Sequence, residues 1–282
     1  MRALTFLARR FVAGDTVDEA LDAVRALNHD GLKVTLDNLG EEVKNRAQAE
    51  AARDEYLSML RKIAQAEVDC NVSLKMSQFG LNLDERLALD NLTAVVKEAK
   101  KLGNFVRIDM EGSAYTERTL ALFYSVLKEY DNVGVVIQAM MRRSAADIAK
   151  LVENKVRVRL CKGAYKEPPE IAFPDKADVN ANYDKLVVAL AAGHAPIPAF
   201  ATHDDERIDF AITAAEGAGL KRDQYELQML YGLRAKRWRE LARAGHVVRV
   251  YMPYGTHWFP YYYRRIRERK ENLLFVVKGI FQ

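Results

Sequence analysis

Cations stand close to the ends of several strand-like runs in this sequence. In Arg159-Leu160-Cys161-Lys162-Gly163-Ala164-Tyr165, the apolar and basic alternation Val156-Arg157-Val158-Arg159-Leu160 gives way to a glycine and an aromatic ring. Such alternation is the pattern of a strand. Arg159 and Lys162 offer N–H donors to anionic or carbonyl groups. Gly163 lets the backbone approach a ligand closely, and Tyr165 supplies a ring face and a hydroxyl. The loop that follows carries three of the seven prolines, Pro168, Pro169 and Pro174. Taken alone, the stretch suits a core strand with a surface turn and the rim of a ligand site equally well.

A second group lies near the C-terminus. Tyr261, Arg264, Arg265 and Glu268 are spaced i, i+3, i+4 and i+7 and share one face of a helix. Two adjacent guanidinium forks match a carboxylate or a phosphate, and Glu268 can hold one of them by pairing with it. A solvated basic helix has the same pattern. A nucleic-acid arm would also interleave tyrosine with arginine, but Glu268 and Glu271 within the run count against it.

Other chemistry is disfavoured by composition. Lys+Arg of 43 against Asp+Glu of 39 leaves a net charge of only +4, too balanced for nucleic-acid binding by bulk charge. Cys70 and Cys161 form no CxxC and the five histidines no HExxH, which argues for a reducing compartment and against a zinc site. No apolar run approaches the length of a membrane span. Residues 1–14 are basic, amphipathic and free of acids, a slight likeness to a transit peptide. With no serine-rich character or cleavage signal after them, they are taken as a short leading segment.

The elements that must position these groups alternate. Strands are predicted at 32–36, 72–76, 105–110, 133–138, 156–160, 197–202, 225–230 and 247–251. A first helix, capped by Asp15 and stopped by Gly31, buries Val17, Leu21, Val24 and Leu27. Helices follow at 41–67, from Asp84 to Gly103, at 116–130, after a Ser144 cap, at 179–192, after Asp204 or Asp205, from Ala235, and from Pro260 to about Val277. Regular βα alternation implies a parallel sheet. Eight units in a chain of 282 residues predict an α/β fold, a (β/α)8 TIM-like barrel, as a single domain over 1–282 with a short N-terminal helical segment at about 1–30. A doubly wound sheet is the alternative, weakened because no G-x-G-x-x-G follows the first strand. A barrel requires its site at the carboxyl ends of the strands. Those ends carry Lys75, Asp109, Gln138, Arg159 with Lys162, Thr202 with His203, Gln228 and Tyr251.

Together, the Arg159–Tyr165 stretch, Ala201-Thr202-His203 and Tyr261-x-x-Arg264-Arg265-x-x-Glu268 resemble the proline dehydrogenases, in their bacterial single-function form. Ser73-Leu74-Lys75-Met76-Ser77-Gln78, Ile108-Asp109-Met110-Glu111 and Gln228-Met229-Leu230-Tyr231-Gly232 strengthen the likeness, which runs from about residue 11 to the C-terminus. It implies a distorted barrel with its last helix over the carboxyl ends of the strands and FAD held non-covalently. It also implies hydride transfer from L-proline to FAD N5, giving Δ1-pyrroline-5-carboxylate, and electrons passed to a membrane quinone. This would be the first step of proline catabolism, with pyrroline-5-carboxylate dehydrogenase as pathway partner and no nucleic acid. The expected location is cytoplasmic, with peripheral contact at the inner face of the cell membrane.

By position, the resemblance places Arg159 near flavin N5 and Met110 and Gln138 along the isoalloxazine. Lys162, Gly163 and Ala164 would follow the ribityl-phosphate part, with Thr202 and His203 at the adenosine end. Lys75, Arg264 and Arg265 would hold the proline carboxylate, while Asp109, Leu160, Tyr165, Tyr251 and Tyr261 shape the pocket. Asp109 is the nearest acceptor for the amine proton, with a structural role, bonding Tyr165 or the loop, as the alternative. Two positions depart from the family: Cys161 stands where valine is usual, and Asp204 where asparagine often follows Thr-His. Glu41 or Glu42 is expected to pair with Arg264 and close the pocket. A Schiff-base aldolase with Lys75 or Lys162 as nucleophile is the rival on the same barrel.

Overall fold

The architecture follows from a computed structural model, which describes residues 10–40 and 42–258. Eight parallel strands close on themselves in sequence order, with β1 paired to both β2 and β8. They are β1 (Lys33–Asn38), β2 (Cys70–Lys75), β3 (Val106–Asp109), β4 (Val133–Gln138), β5 (Val158–Cys161), β6 (Ala199–Ala201), β7 (Glu226–Leu230) and β8 (Val248–Tyr254). Among the described residues, α1 (Val17–His29) precedes the barrel, and α2 (Arg46–Ala66), α3 (Glu85–Lys101), α4 (Ser113–Leu127), α5 (Ser144–Glu153), α6 (Lys176–Ala192), α7 (Asp205–Gly217) and α8 (Ala235–Arg243) follow β1 to β7 in turn. The predicted (β/α)8 barrel is therefore the fold. None of these helices is long and apolar enough to cross a membrane.

The core lies between barrel and helices. Val34, Leu36, Val72, Leu74, Val106, Ile108, Val135, Val158, Leu160, Leu227, Val248 and Val250 are buried there. Their strand neighbours Thr35, Asp37, Asn71, Ser73, Arg107, Asp109, Arg159, Glu226, Gln228, Arg249 and Tyr251 take the opposite face, because successive side chains alternate. These polar residues bond across the barrel and fill its interior.

Helix starts depend on local capping. The α1 cap is Thr16, whose Oγ1 accepts from Glu19 N at 3.3 Å, while Asp15 N–H donates to Glu19 Oε2 at 2.7 Å. This reciprocal pair corrects the expected Asp15 cap. The helix expected from 41 begins at Arg46, because Asn45 caps it with a 3.0 Å bond from Gln48 N. Ser144 is not a cap but the first residue of α5, with its hydroxyl 2.6 Å from the carbonyl oxygens of Gln138 and Met141. It ties the helix to the end of β4. Glu41 and the last predicted helix, with Pro260, Tyr261, Arg264, Arg265 and Glu268, lie outside the described residues.

Candidate active site

Four strands bring one charged group together at the carboxyl end of the barrel. Lys75 Nζ on β2 donates to both oxygens of Asp37 on β1, at 2.9 and 2.8 Å. It also stands 3.9 Å from Asp109 on β3. Asp109 Oδ1 accepts from Ser73 Oγ at 2.6 Å and from Arg159 Nη1 on β5 at 2.8 Å. Its Oδ2 accepts from Tyr251 Oη on β8 at 2.7 Å. Arg159 Nη1 also donates to Ser73 Oγ at 3.2 Å, its Nε donates to Gln228 Oε1 on β7 at 2.6 Å, and its guanidinium carbon lies 5.2 Å from the Tyr251 ring centre. None of these bonds uses Arg159 Nη2.

Exposure grades these groups from the mouth inward. The side chains of Lys75 and Asp109 keep 19% and 13% of their surface; Asp37 keeps 1% and Arg159 6%. Burial pulls the Lys75 ammonium down, but Asp37 and then Asp109 outweigh it and hold its pKa above the ordinary lysine value. A lysine held charged is a poor Schiff-base nucleophile, which counts against an aldolase at Lys75. Burial, with Asp109 and Asp37 beside it, raises the Tyr251 hydroxyl well above the usual phenol range, so it remains a donor. Asp109 thus takes donors on both oxygens, the structural alternative to proton transfer, but from Ser73, Arg159 and Tyr251 and not from Tyr165 or its loop.

The β4, β5 and β6 ends form a second part of the rim. Gln138 Nε2 donates to the carbonyl of Glu111 at 2.8 Å. Burial raises the Glu111 carboxyl even though Ser77 donates to it twice, from N at 3.0 Å and from Oγ at 2.5 Å. Lys162 Nζ donates to Asn180 Oδ1 at 2.6 Å and Asp204 Oδ2 at 2.7 Å. Burial would raise the Asp204 carboxyl, but Lys162 holds it below the usual range. Thr202 Oγ1 accepts from Asp204 N at 3.2 Å, and His203 Nε2 accepts from Leu230 N at 2.9 Å. Gly163 adopts φ +105°, and a Cβ there would fall 2.5 Å from Met140 Sδ, so only glycine fits this turn. Met110 is buried at the end of β3, while Ala164 and Tyr165 are exposed.

The β5–α6 loop is pinned to α4. Glu167 accepts from Ser113 N at 2.7 Å and Ser113 Oγ at 2.5 Å, supplying the helix end that Gly112 cannot cap. Glu42 accepts from Tyr115 Oη, so its described partner is α4. Leu160 needs correction. It is fully buried and shares the outward face of Val158, opposite to Arg159, so it packs behind the site instead of lining a pocket. Burial pushes the Cys161 thiol up to about 12, so the residue at this departure stays a neutral thiol. Asp37, Ser73, Tyr56 and Glu226 escaped notice as site residues. Tyr56 Oη donates to Ser73 O at 2.7 Å and approaches Asp37 Oδ1 at 3.3 Å. Polar residues repeating at i and i+2 within apolar strands, as in Ser73 and Lys75 or Glu226 and Gln228, were the available signal.

Fold and side chains together define a (β/α)8 barrel with a charged, hydrogen-bonded cluster in its mouth. The family model for proline dehydrogenase matches residues 20–278. Proline dehydrogenase 1 of Bacillus subtilis (strain 168) is 42% identical over 276 residues, 98% of this chain and 91% of that protein. Proline dehydrogenase of Deinococcus radiodurans is 39% identical over 282 residues, 98% of this chain and 90% of that protein. Among solved structures, proline utilization A from Bdellovibrio bacteriovorus, inactivated by N-propargylglycine, superposes with a TM-score of 0.88 at 26% identity. That match covers 93% of this chain and 32% of the other. The chain belongs to the proline dehydrogenase family.

Proposed function

We propose that this chain oxidises L-proline to Δ1-pyrroline-5-carboxylate, the first step of proline catabolism, with FAD as its cofactor and a membrane quinone as final acceptor. The observation that carries this beyond family membership is the locked Arg159–Asp109–Lys75 cluster, two cations around one carboxylate at the barrel mouth. The residues present fit a flavin nucleotide. Arg159 keeps Nη2 outside its bonds within the site, Gly163 turns the chain just beyond the end of β5, and Lys162 places an ammonium on the same rim.

When bound, FAD supplies the hydride acceptor, its N5. Arg159 would hold negative charge at the reacting end of the ring system, with Met110 and Gln138 beside it. Lys162, Gly163 and Ala164 would cradle the phosphates, and Thr202 and His203 would bound the adenosine end. Lys75, with Arg264 and Arg265, would bind the proline carboxylate and direct the ring carbon C5 inward. Tyr165, Tyr251 and Tyr261 would enclose the ring methylenes. Oxidation also removes a proton from the substrate nitrogen. Asp109 already accepts from Ser73, Arg159 and Tyr251. We therefore assign it to holding the two groups that face substrate and cofactor, not to proton transfer. Pyrroline-5-carboxylate dehydrogenase would consume the product.

The purified protein should be yellow, and its flavin absorbance should bleach anaerobically on adding L-proline. A colourless protein that neither takes up FAD nor oxidises proline would refute the proposal.

A further inference from the structure

Two residues below Arg159 have no part in the chemistry described so far. Gln228 stands between Arg159 and Glu226: its Oε1 accepts from Arg159 Nε at 2.6 Å and its Nε2 donates to Glu226 Oε2 at 2.7 Å. All three are buried. Glu226 is itself held, since Arg249 donates to it from Nε at 3.0 Å and from Nη2 at 2.9 Å, and Arg249 Nη1 donates to the Val34 carbonyl at 2.7 Å. A carboxylate only accepts and a guanidinium only donates, whereas an amide has one end of each kind. A flipped Gln228 would turn its NH2 on Arg159 and its oxygen on Glu226, breaking two buried bonds at once. Glu226 therefore dictates which end Arg159 meets.

We propose that Gln228, oriented by Glu226, is a positioning residue for proline oxidation that fixes the plane of the Arg159 guanidinium. The inference rests on the flavin-dependent reaction proposed above. Asp109 and Ser73 hold Arg159 through Nη1 alone. The Nε bond to Gln228 is the second point that stops the fork from swinging about the first. With both made, Nη2 has one direction, and a charge placed against it meets a preorganised donor. Without the amide the charge remains but its direction does not.

The test uses the holoenzyme and Gln228→Met, which keeps side-chain length and removes the acceptor. The expected result is a bound-flavin reduction potential more negative than wild type, about tenfold lower kcat, proline KM within about threefold and thermal stability close to wild type. An unchanged potential overturns the proposal, whether activity is kept or falls in step with stability, because Gln228 then only packs. If Gln228→Met retains no FAD, an apoprotein as stable as wild-type apoprotein supports the proposal and a destabilised one overturns it. Wild-type protein without flavin or proline oxidation would defeat the parent proposal instead, so the two failures are distinct.

Discussion

Asp37 is closed to solvent and bonded to Lys75 through both oxygens, so removing either charge alone strands the other. Lys75→Met should therefore destabilise the fold by about 3 kcal/mol. It should also lower kcat/KM for proline by about tenfold to a hundredfold, through loss of a charge-assisted bond to the carboxylate. Adding Asp37→Asn should recover most of the stability, read by urea unfolding, and none of the activity. Recovery of activity as well would show that Lys75 matters only through Asp37. At the rim, Asp204 competes for Lys162 across 2.7 Å. Asp204→Asn should release the ammonium and tighten FAD by about fivefold, the worth of one partly exposed ion pair near 1 kcal/mol. Titrating apoprotein with FAD decides this, and equal or weaker binding would remove Lys162 from the cofactor site.

At the scale of elements, the β5–α6 loop is tied to α4 by its own Glu167 carboxylate. Glu167→Ala removes the α4 cap and should cost about 1 kcal/mol of stability. Because Tyr165 lies two residues away, proline KM should rise several-fold with kcat nearly unchanged; an unchanged KM would leave Glu167 as a helix cap only. The elements themselves were legible because their causes are local. The continuously apolar β4 and the polar strand ends identified the strands, and the eightfold alternation identified the barrel. The bonding was not legible. Ser73 and Asp109 are separated by 36 residues, and Tyr251 and Asp109 by 142, distances over which strand periodicity carries no pairing information. Leu160 was misassigned for a different reason. Its neighbour Arg159 faces inward, and alternation alone requires that Leu160 face the helices.

Across the whole molecule the barrel interior is charged from base to mouth. Near the base, Arg249 grips Glu226, and Arg107 donates to the carbonyls of Val135 and Arg157. Burial would raise the Glu226 carboxyl, but Arg249, Arg107 and Arg157 hold it at about 2, against an ordinary 4.5. A depressed carboxyl adds stability above its unfolded pKa and loses it as pH falls through the folded one. About 3 kcal/mol should therefore disappear between roughly pH 4.5 and pH 2. Urea unfolding of wild type against Glu226→Gln/Arg249→Met checks this: the double variant should lack that part of the acid dependence, and an identical profile would place it elsewhere. At the upper end the same interior holds Arg159, Asp109 and Lys75, on which the proposed chemistry depends. The most direct measurement is the visible spectrum of the purified protein under anaerobic conditions, before and after adding L-proline. Flavin bands that bleach with proline are the expected result, and a flavin-bound protein whose bands persist at saturating proline would contradict the proposed function.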